Sequence, residues 1–550
     1  MKFTLKKIDC FLENKWPRVR TIFYSSFLFA ITFLISSYRA SEIQGHEDFI
    51  DSRQLLFFLE DPVIENLMYE AHNAMEFFAL PFYRIIGFNL TALRMSQSVL
   101  LSFSVVFFFL FSRNYFGDSV KAFLSSLLLV SFPFFITLKY WPEYAAVAFF
   151  STLLLYIFSE LKNRDSSFIF ALYGFVLGVG IFTKVIIAPF GVGLLLFYLV
   201  TDFKNAQRKL LKVNNLASLL IFGLFGLSPF LAFNIKAQTL QSFVMDSFGA
   251  TRGSFLNNIS IRIGDIRDIF ITSPQYYSGE VEVVGRIGFV FFLLSSIYFL
   301  FRKKKGELII LGTIIFYIFV SVTEVQALLT EHLYILIPSF VIIMVSAGFI
   351  LSDFIERKTN INILYLPVLI LIFLNLFNTV IILKSDNSYN DFYTINKIGY
   401  TIQDHGGIDN IYHTMARDGF LTGSRIISFT SGGSKVFYIK PVLEDGFSEI
   451  KIVDPGQDND PNTGDFPLNW IYVDVDDVLE FEKNSLYIDA YQKRYIPEGG
   501  SGQEDNSQIL KRYLGDSYKK IKIEEKLKRG YFLIWVHQKN KDLIQKLKSI

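Results

Sequence analysis

Gly45-His46-Glu47-Asp48-Phe49-Ile50-Asp51-Ser52-Arg53-Gln54-Leu55-Leu56-Phe57-Phe58-Leu59-Glu60 follows shortly after an apolar run, 20–38, that contains no acid. A run of that length crosses a bilayer as a helix. The carboxylates Glu47, Asp48 and Asp51 therefore stand where the chain leaves a membrane. In a helix, Glu47 and Asp51 are i,i+4 neighbours on one face, with Asp48 about 100° round the axis. With Leu55 to Leu59 beyond them, such a helix would present a base at the water–lipid boundary. An ordinary acidic loop outside a membrane protein has the same look, so the reading depends on the rest of the chain.

The chain has 550 residues, of which 51% are hydrophobic and 17% aromatic, with 61 Phe. Repeated apolar runs with that composition define a polytopic membrane protein. Net charge is +2, which implies no nucleic-acid partner. The single cysteine, Cys10, allows no intrachain disulfide. No Ala-x-Ala site follows the first span, which is read as retained.

Candidate spans fall at 20–38, 92–112, 119–138, 142–159, 167–183, 185–201, 215–235, 285–301, 307–322, 333–352 and 362–383, about eleven in all. Cations orient them. Lys2, Lys6, Lys7, Lys15, Arg18 and Arg20 precede the first span. Every second connection is also basic: Arg113 and Lys121; Lys162 and Arg164; Lys204, Arg208, Lys209 and Lys212; Arg302 to Lys305; Arg357 and Lys358. This places the N-terminus in the cytoplasm. With an odd number of spans, the C-terminal segment lies outside.

Two external loops are long, 39–91 and 237–284. In the first, Ile64, Leu67, Met68, Ala71, Met75, Phe78, Ala79 and Phe82 form one apolar stripe, as in a helix lying in the interface. The second mixes Arg252, Arg262, Asp265, Arg267 and Asp268 with Tyr276 and Tyr277. The expected organisation is a transmembrane module, 1–383, and an extracytoplasmic α/β domain, 384–550. In the latter, β-prone runs fall at 410–413, 425–429, 436–439, 470–475, 485–490 and 531–536, and helices at 391–403 and 507–513.

Arg84, Arg94, Lys139, Glu143, Lys184, Glu324, Glu331 and His332 stand at the external ends of spans. Charges at membrane depth are expensive and tend to be functional, although single ones often snorkel. Acids and cations on one rim suit chemistry on a lipid-linked phosphate: cations stabilise the leaving phosphate and a carboxylate takes a proton from the attacking group. His46-Glu47 lacks the second His of the zincin spacing, and no Gly-x-Ser-x-Gly or Walker loop is present. A transporter or flippase also uses intramembrane charge, but no inverted repeat is visible.

Gly45 to Asp51, Leu80-Pro81-Phe82-Tyr83-Arg84, Ala92-Leu93-Arg94, Trp141-Pro142-Glu143, Gly178 to Lys184 with Pro189, and Glu331 to Pro338 occur in an order that resembles the GT-C glycosyltransferases. The likeness is greatest to protein O-mannosyltransferases and lipid A aminoarabinose transferases. It covers roughly 20–350. This chain departs from the family in having Glu-Asp rather than Asp-Glu in the first loop, Glu at position 143, and no arginine in the late motif.

The resemblance implies a polyprenyl-phosphate sugar donor, a lipid, polysaccharide or protein acceptor, and a bacterial inner-membrane location with the C-terminal domain in the periplasm. It gives the base as Asp48 or Glu47 with Asp51 supporting, Glu143 as orienting or acceptor-binding, and Arg84, Arg94, Lys184 and His332 as phosphate ligands. No metal ligand set is assigned, and a divalent metal is left open.

Overall fold

The computed structural model describes residues 17–40, 74–87, 89–140, 142–236, 255–271, 282–322, 330–359, 365–384, 435–438, 486–492, 518–524, 530–538 and 541–550. The acidic stretch 45–60, the first half of the expected interfacial helix, Tyr276 and Tyr277 lie outside them. So do the strands expected at 410–413, 425–429 and 470–475 and the helices expected at 391–403 and 507–513.

The helices are α1 (Pro17–Ser37), α2 (Ala74–Ile86), α3 (Leu90–Phe116), α4 (Ser119–Ser131), α5 (Pro133–Thr137), α6 (Pro142–Asn163), α7 (Ser167–Thr183), α8 (Ile187–Thr201), α9 (Phe203–Leu210), α10 (Val213–Lys236), α11 (Phe255–Ile271), α12 (Glu282–Arg302), α13 (Lys305–Ser321), α14 (Ile337–Thr359) and α15 (Leu366–Lys384). Short 3₁₀ segments, Leu138–Tyr140 and Thr330–Leu336, precede α6 and α14. Each predicted span falls on helix. Among the described residues, 6 helices are long and apolar enough to cross a membrane, and Ser119–Ser131, Ser167–Thr183, Ile187–Thr201 and Leu366–Ile381 are shorter apolar helices.

The shortness has local causes. Pro133 cannot continue α4 with a backbone N–H, so the span expected at 119–138 breaks at Phe132. Asp118 caps α4, its carboxylate accepting from the Val120 and Lys121 amides at 2.7 and 3.1 Å. Gly117, at φ 66°, closes α3 in the left-handed conformation. Large apolar side chains face outward, among them Phe301 at 83% and Phe373 at 70% exposure. The chain is an integral membrane protein.

Within the bilayer, several buried hydroxyls are satisfied inside their own helices. Thr32, Ser36, Ser102 and Ser104 each donate to the carbonyl four residues earlier, at 2.6 to 2.8 Å. Helices α7 and α10 meet backbone to backbone. A Cβ on Gly174 would fall on the Leu219 carbonyl, and one on Gly178 on the Gly223 carbonyl. Apolar side chains gain little by leaving lipid for one another, so small residues that permit close approach hold such a seam.

The basic connections gather at one end of the bundle. Arg113 donates to Thr21 at 2.6 Å, Asn114 to Glu160 at 2.7 Å, and Lys305 to Asp202 at 2.7 Å. The stretch 237–284, read as a long polar loop, contains α11. Its charges disguised it: Arg262 is fully buried and donates to Asp265 at 3.3 Å and to the Ser321 carbonyl at 3.4 Å.

A second compact unit contains the C-terminal strands β1 (Lys435–Tyr438), β2 (Leu486–Gln492), β3 (Tyr518–Glu524) and β4 (Gly530–His537), in antiparallel order β1-β2-β4-β3. Ile521 pairs with Ile534, and Tyr487 with Trp535. Helix α16 (Lys541–Lys548) packs on β3; Ile521, Ile523, Ile544 and Leu547 are buried. Strand β3 and α16 were not among the predicted elements.

Because the α7–α10 seam has no room for a side chain, Gly178→Leu is expected to lower stability by about 1–3 kcal/mol through overpacking. Thermal unfolding of the detergent-solubilised protein checks this, and an unchanged midpoint would show that the helices can separate without cost.

Candidate active site

Helix α7 ends at Thr183, and Lys184 leaves it in an extended conformation, φ −157°. Its amide still closes the last turn on the Gly180 carbonyl at 2.8 Å. The side chain crosses to the start of α6. There Nζ donates to Glu143 Oε2 and, at 3.1 Å, to the Tyr144 hydroxyl. The ammonium lies 4.1 Å from the centroid of the Tyr144 ring, a cation–π contact. Glu143 stands in the first turn of α6, where the helix dipole favours a carboxylate. The two side chains are 7% and 13% exposed, so this ion pair is largely withdrawn from solvent.

Aromatic contacts extend the cluster. The Tyr144 ring meets that of Tyr334 at 5.4 Å, and Tyr334 meets Phe134 at 5.3 Å. Tyr334 belongs to the 3₁₀ segment that contains His332. His332 is half-buried, and its carbonyl accepts from the Tyr317 hydroxyl at 2.5 Å.

Cations fasten the end of α1 to two other parts of the bundle. Lys139 Nζ donates to the Tyr38 carbonyl at 2.6 Å. Arg39 donates to the Leu383 carbonyl at 3.4 Å. Arg94, at 0% exposure, donates to the Lys139 carbonyl and, at 3.4 Å, to Gln97 Oε1. The segment from which the acidic stretch departs is thus tied to the turn just before Glu143.

The structure therefore brings together Glu143 and Lys184, and links Arg94 to Lys139. Arg84 is exposed in the last turn of α2. Glu47, Asp48 and Asp51 lie outside the described residues. Among the described residues, no group of three or more His, Cys, Asp or Glu converges as a metal site.

The sequence model of the dolichyl-phosphate-mannose-protein mannosyltransferase family matches residues 74–233. Crystal structures of ArnT from Cupriavidus metallidurans are similar over 92% of this chain and 97% of theirs. The TM-score is 0.55 with 10% identity for the form bound to undecaprenyl phosphate, and 0.52 with 11% identity for the apo form. The chain carries the GT-C glycosyltransferase fold. An uncharacterized protein of Aquifex aeolicus (strain VF5) is 26% identical over 293 residues, 52% of this chain and 54% of that protein. The chain thus matches about half the length of that relative.

The part of the GT-C fold matched by the family holds Arg84, Arg94, Glu143 and Lys184. Tyr144 and Tyr334 were not among the predicted site residues. Tyr334 lies within Glu331 to Pro338 and Tyr144 directly follows Trp141-Pro142-Glu143, but nothing local announced that their rings would meet.

Removing one partner of a buried ion pair strands the other charge, at a cost of about 3–5 kcal/mol. Glu143→Gln and Lys184→Gln are each expected to destabilise the protein by roughly that amount. The double variant should lose less than the sum. A double-mutant cycle of denaturant unfolding in detergent measures the coupling, and strict additivity would show that the pair does not interact.

Proposed function

We propose that this protein is a membrane glycosyltransferase that moves a sugar from a polyprenyl-phosphate donor to an acceptor on the extracytoplasmic face of the bacterial inner membrane. In this reading an acceptor oxygen or nitrogen attacks the anomeric carbon while the carbon–oxygen bond to phosphate breaks. Polyprenyl phosphate leaves with the bonding pair, and the configuration inverts. A carboxylate of the first external loop, Asp48 or Glu47 with Asp51 in support, takes the acceptor's proton.

The observation that carries this reading is the tether at the end of α1, in the chain just before the acidic stretch. Lys139 holds the Tyr38 carbonyl, seven residues before Gly45, to the turn that leads into Glu143. In this reading the three acids work together with the buried Glu143–Lys184 pair. Lys184 is the cation best placed to meet a leaving phosphate. Glu143 and the Tyr144 ring position its ammonium, and as the phosphate gains charge the ammonium can share its donors between the two anions. Arg94 serves as a staple between α3 and the 138–140 turn, because its guanidinium is already given to a buried carbonyl. The ArnT structure bound to undecaprenyl phosphate supports a lipid-phosphate ligand for the fold.

The test is release of polyprenyl phosphate from a panel of radiolabelled polyprenyl-phosphate sugars by purified protein. Wild type should turn over one donor. Asp48→Asn or Glu47→Gln should lower kcat by about 100-fold or more, the usual contribution of a general base. Lys184→Gln should fall by about 100-fold, as for removal of one donor to a developing anion. Bound donor with no release in wild type would overturn the reading and favour lipid-linked sugar flipping.

A further inference from the structure

The other end of the bundle holds a cleft of about 430 Å³ between α3, α4, α6, α13 and α14. It lies at the far end of α6 from Glu143, about 30 Å along a helix of that length. The mechanism above makes no use of it. Its floor is apolar, with Phe111, Phe158 and Ile310 among its residues. Its charges are Lys121, Lys162 and Lys304 together with Glu307 and Asp353.

These lysines differ from their neighbours. Arg164, Lys212 and Lys305 at the same end each have a carboxylate partner, in Glu160, Asp165 and Asp202. Lys121, Lys162 and Lys304 have none among the described residues. Lys121 is half-buried over the rings of Phe349 and Tyr365, at 5.2 and 5.8 Å, which orient the ammonium without neutralising it. Glu307 is 8% exposed and, among the described residues, has no cation in ion-pair range. A cleft that keeps both signs of charge near each other and unpaired suits a ligand that itself carries both signs.

We propose that this cleft binds the headgroup of a phosphoethanolamine lipid from the adjacent leaflet. The lysines take the phosphodiester, Glu307 and Asp353 take the ammonium, and the apolar floor takes the glycerol end of the acyl chains. Basic pockets between transmembrane helices are known to hold lipid headgroups. The acids select a zwitterionic head over a purely anionic one. The cleft is large enough for a headgroup and too small for an oligosaccharide.

The experiment is native mass spectrometry of the full chain after reconstitution with equal parts phosphatidylethanolamine and phosphatidylglycerol and stepwise delipidation. Wild type should retain one phosphatidylethanolamine. Lys121→Gln/Lys162→Gln should reduce that retention about tenfold, and Glu307→Gln should shift the retained lipid toward phosphatidylglycerol. Arg357→Gln/Lys358→Gln, outside the cleft, should change nothing, and melting curves verify that each variant is folded. Equal retention by all variants, or preferential retention of phosphatidylglycerol by wild type, would overturn the proposal. Displacement of the lipid by millimolar inorganic phosphate would assign the cleft to a soluble phosphate instead. The readout is lipid mass, so it stands or falls independently of glycosyl transfer.

Discussion

A lysine ammonium withdrawn from water sets the terms for this structure. Lys184 stands where α7 has ended and α8 has not begun, and its charge has to be met within the protein. Glu143 meets it from the first turn of α6, and the Tyr144 ring covers it. An ion pair in such surroundings gains less than its Coulomb energy, because both charges lose their hydration. Its structural value lies in position: it fixes the break between α7 and α8 against the start of α6, and through Tyr144 and Tyr334 against the segment before α14. Three stretches far apart in the chain become one polar centre.

The same accounting of polar groups runs through the bundle. Hydroxyls such as those of Thr32, Ser36, Ser102 and Ser104 return to their own helix backbones, Arg94 goes to a carbonyl of the 138–140 turn, and Arg262 joins Asp265 and the end of α13. Asn258, which begins a glycosylation-type Asn-Ile-Ser triplet, is 1% exposed and reaches toward the Val322 carbonyl. A sequon buried in this way is part of the packing. Asn89, in the other such triplet, accepts from the Ala92 amide at 2.9 Å and caps α3.

The positions of the apolar helices were legible in the sequence because a long apolar run has few other outcomes in lipid. The alternation of basic connections was legible too, and those residues do meet at one end. Charged helix was harder. α11 reads as a polar loop until Arg262 is seen to be buried. Strand β3 alternates Ile521 and Ile523 with lysines, yet its sequence, Tyr-Lys-Lys-Ile-Lys-Ile-Glu, is too polar to announce a strand. Glu143 and Lys184 were both picked out for their place at the outer ends of spans. Their pairing was not, since the two are 41 residues apart and only the packing of α6 against α7 joins them. Arg94 was read as a phosphate ligand from its type and place, and its bond to the Lys139 carbonyl was not legible there.

The glycine seam between α7 and α10 also bears on traffic within the bilayer. Two helices in backbone contact leave no side chain that can rotate aside, so no acyl or prenyl tail can slip between them. On that flank the end of α7 is walled off from the surrounding lipid. A long-chain molecule travelling toward Lys184 must come round another side of the bundle, and mutations that widen the seam would open a leak where the fold has built a wall.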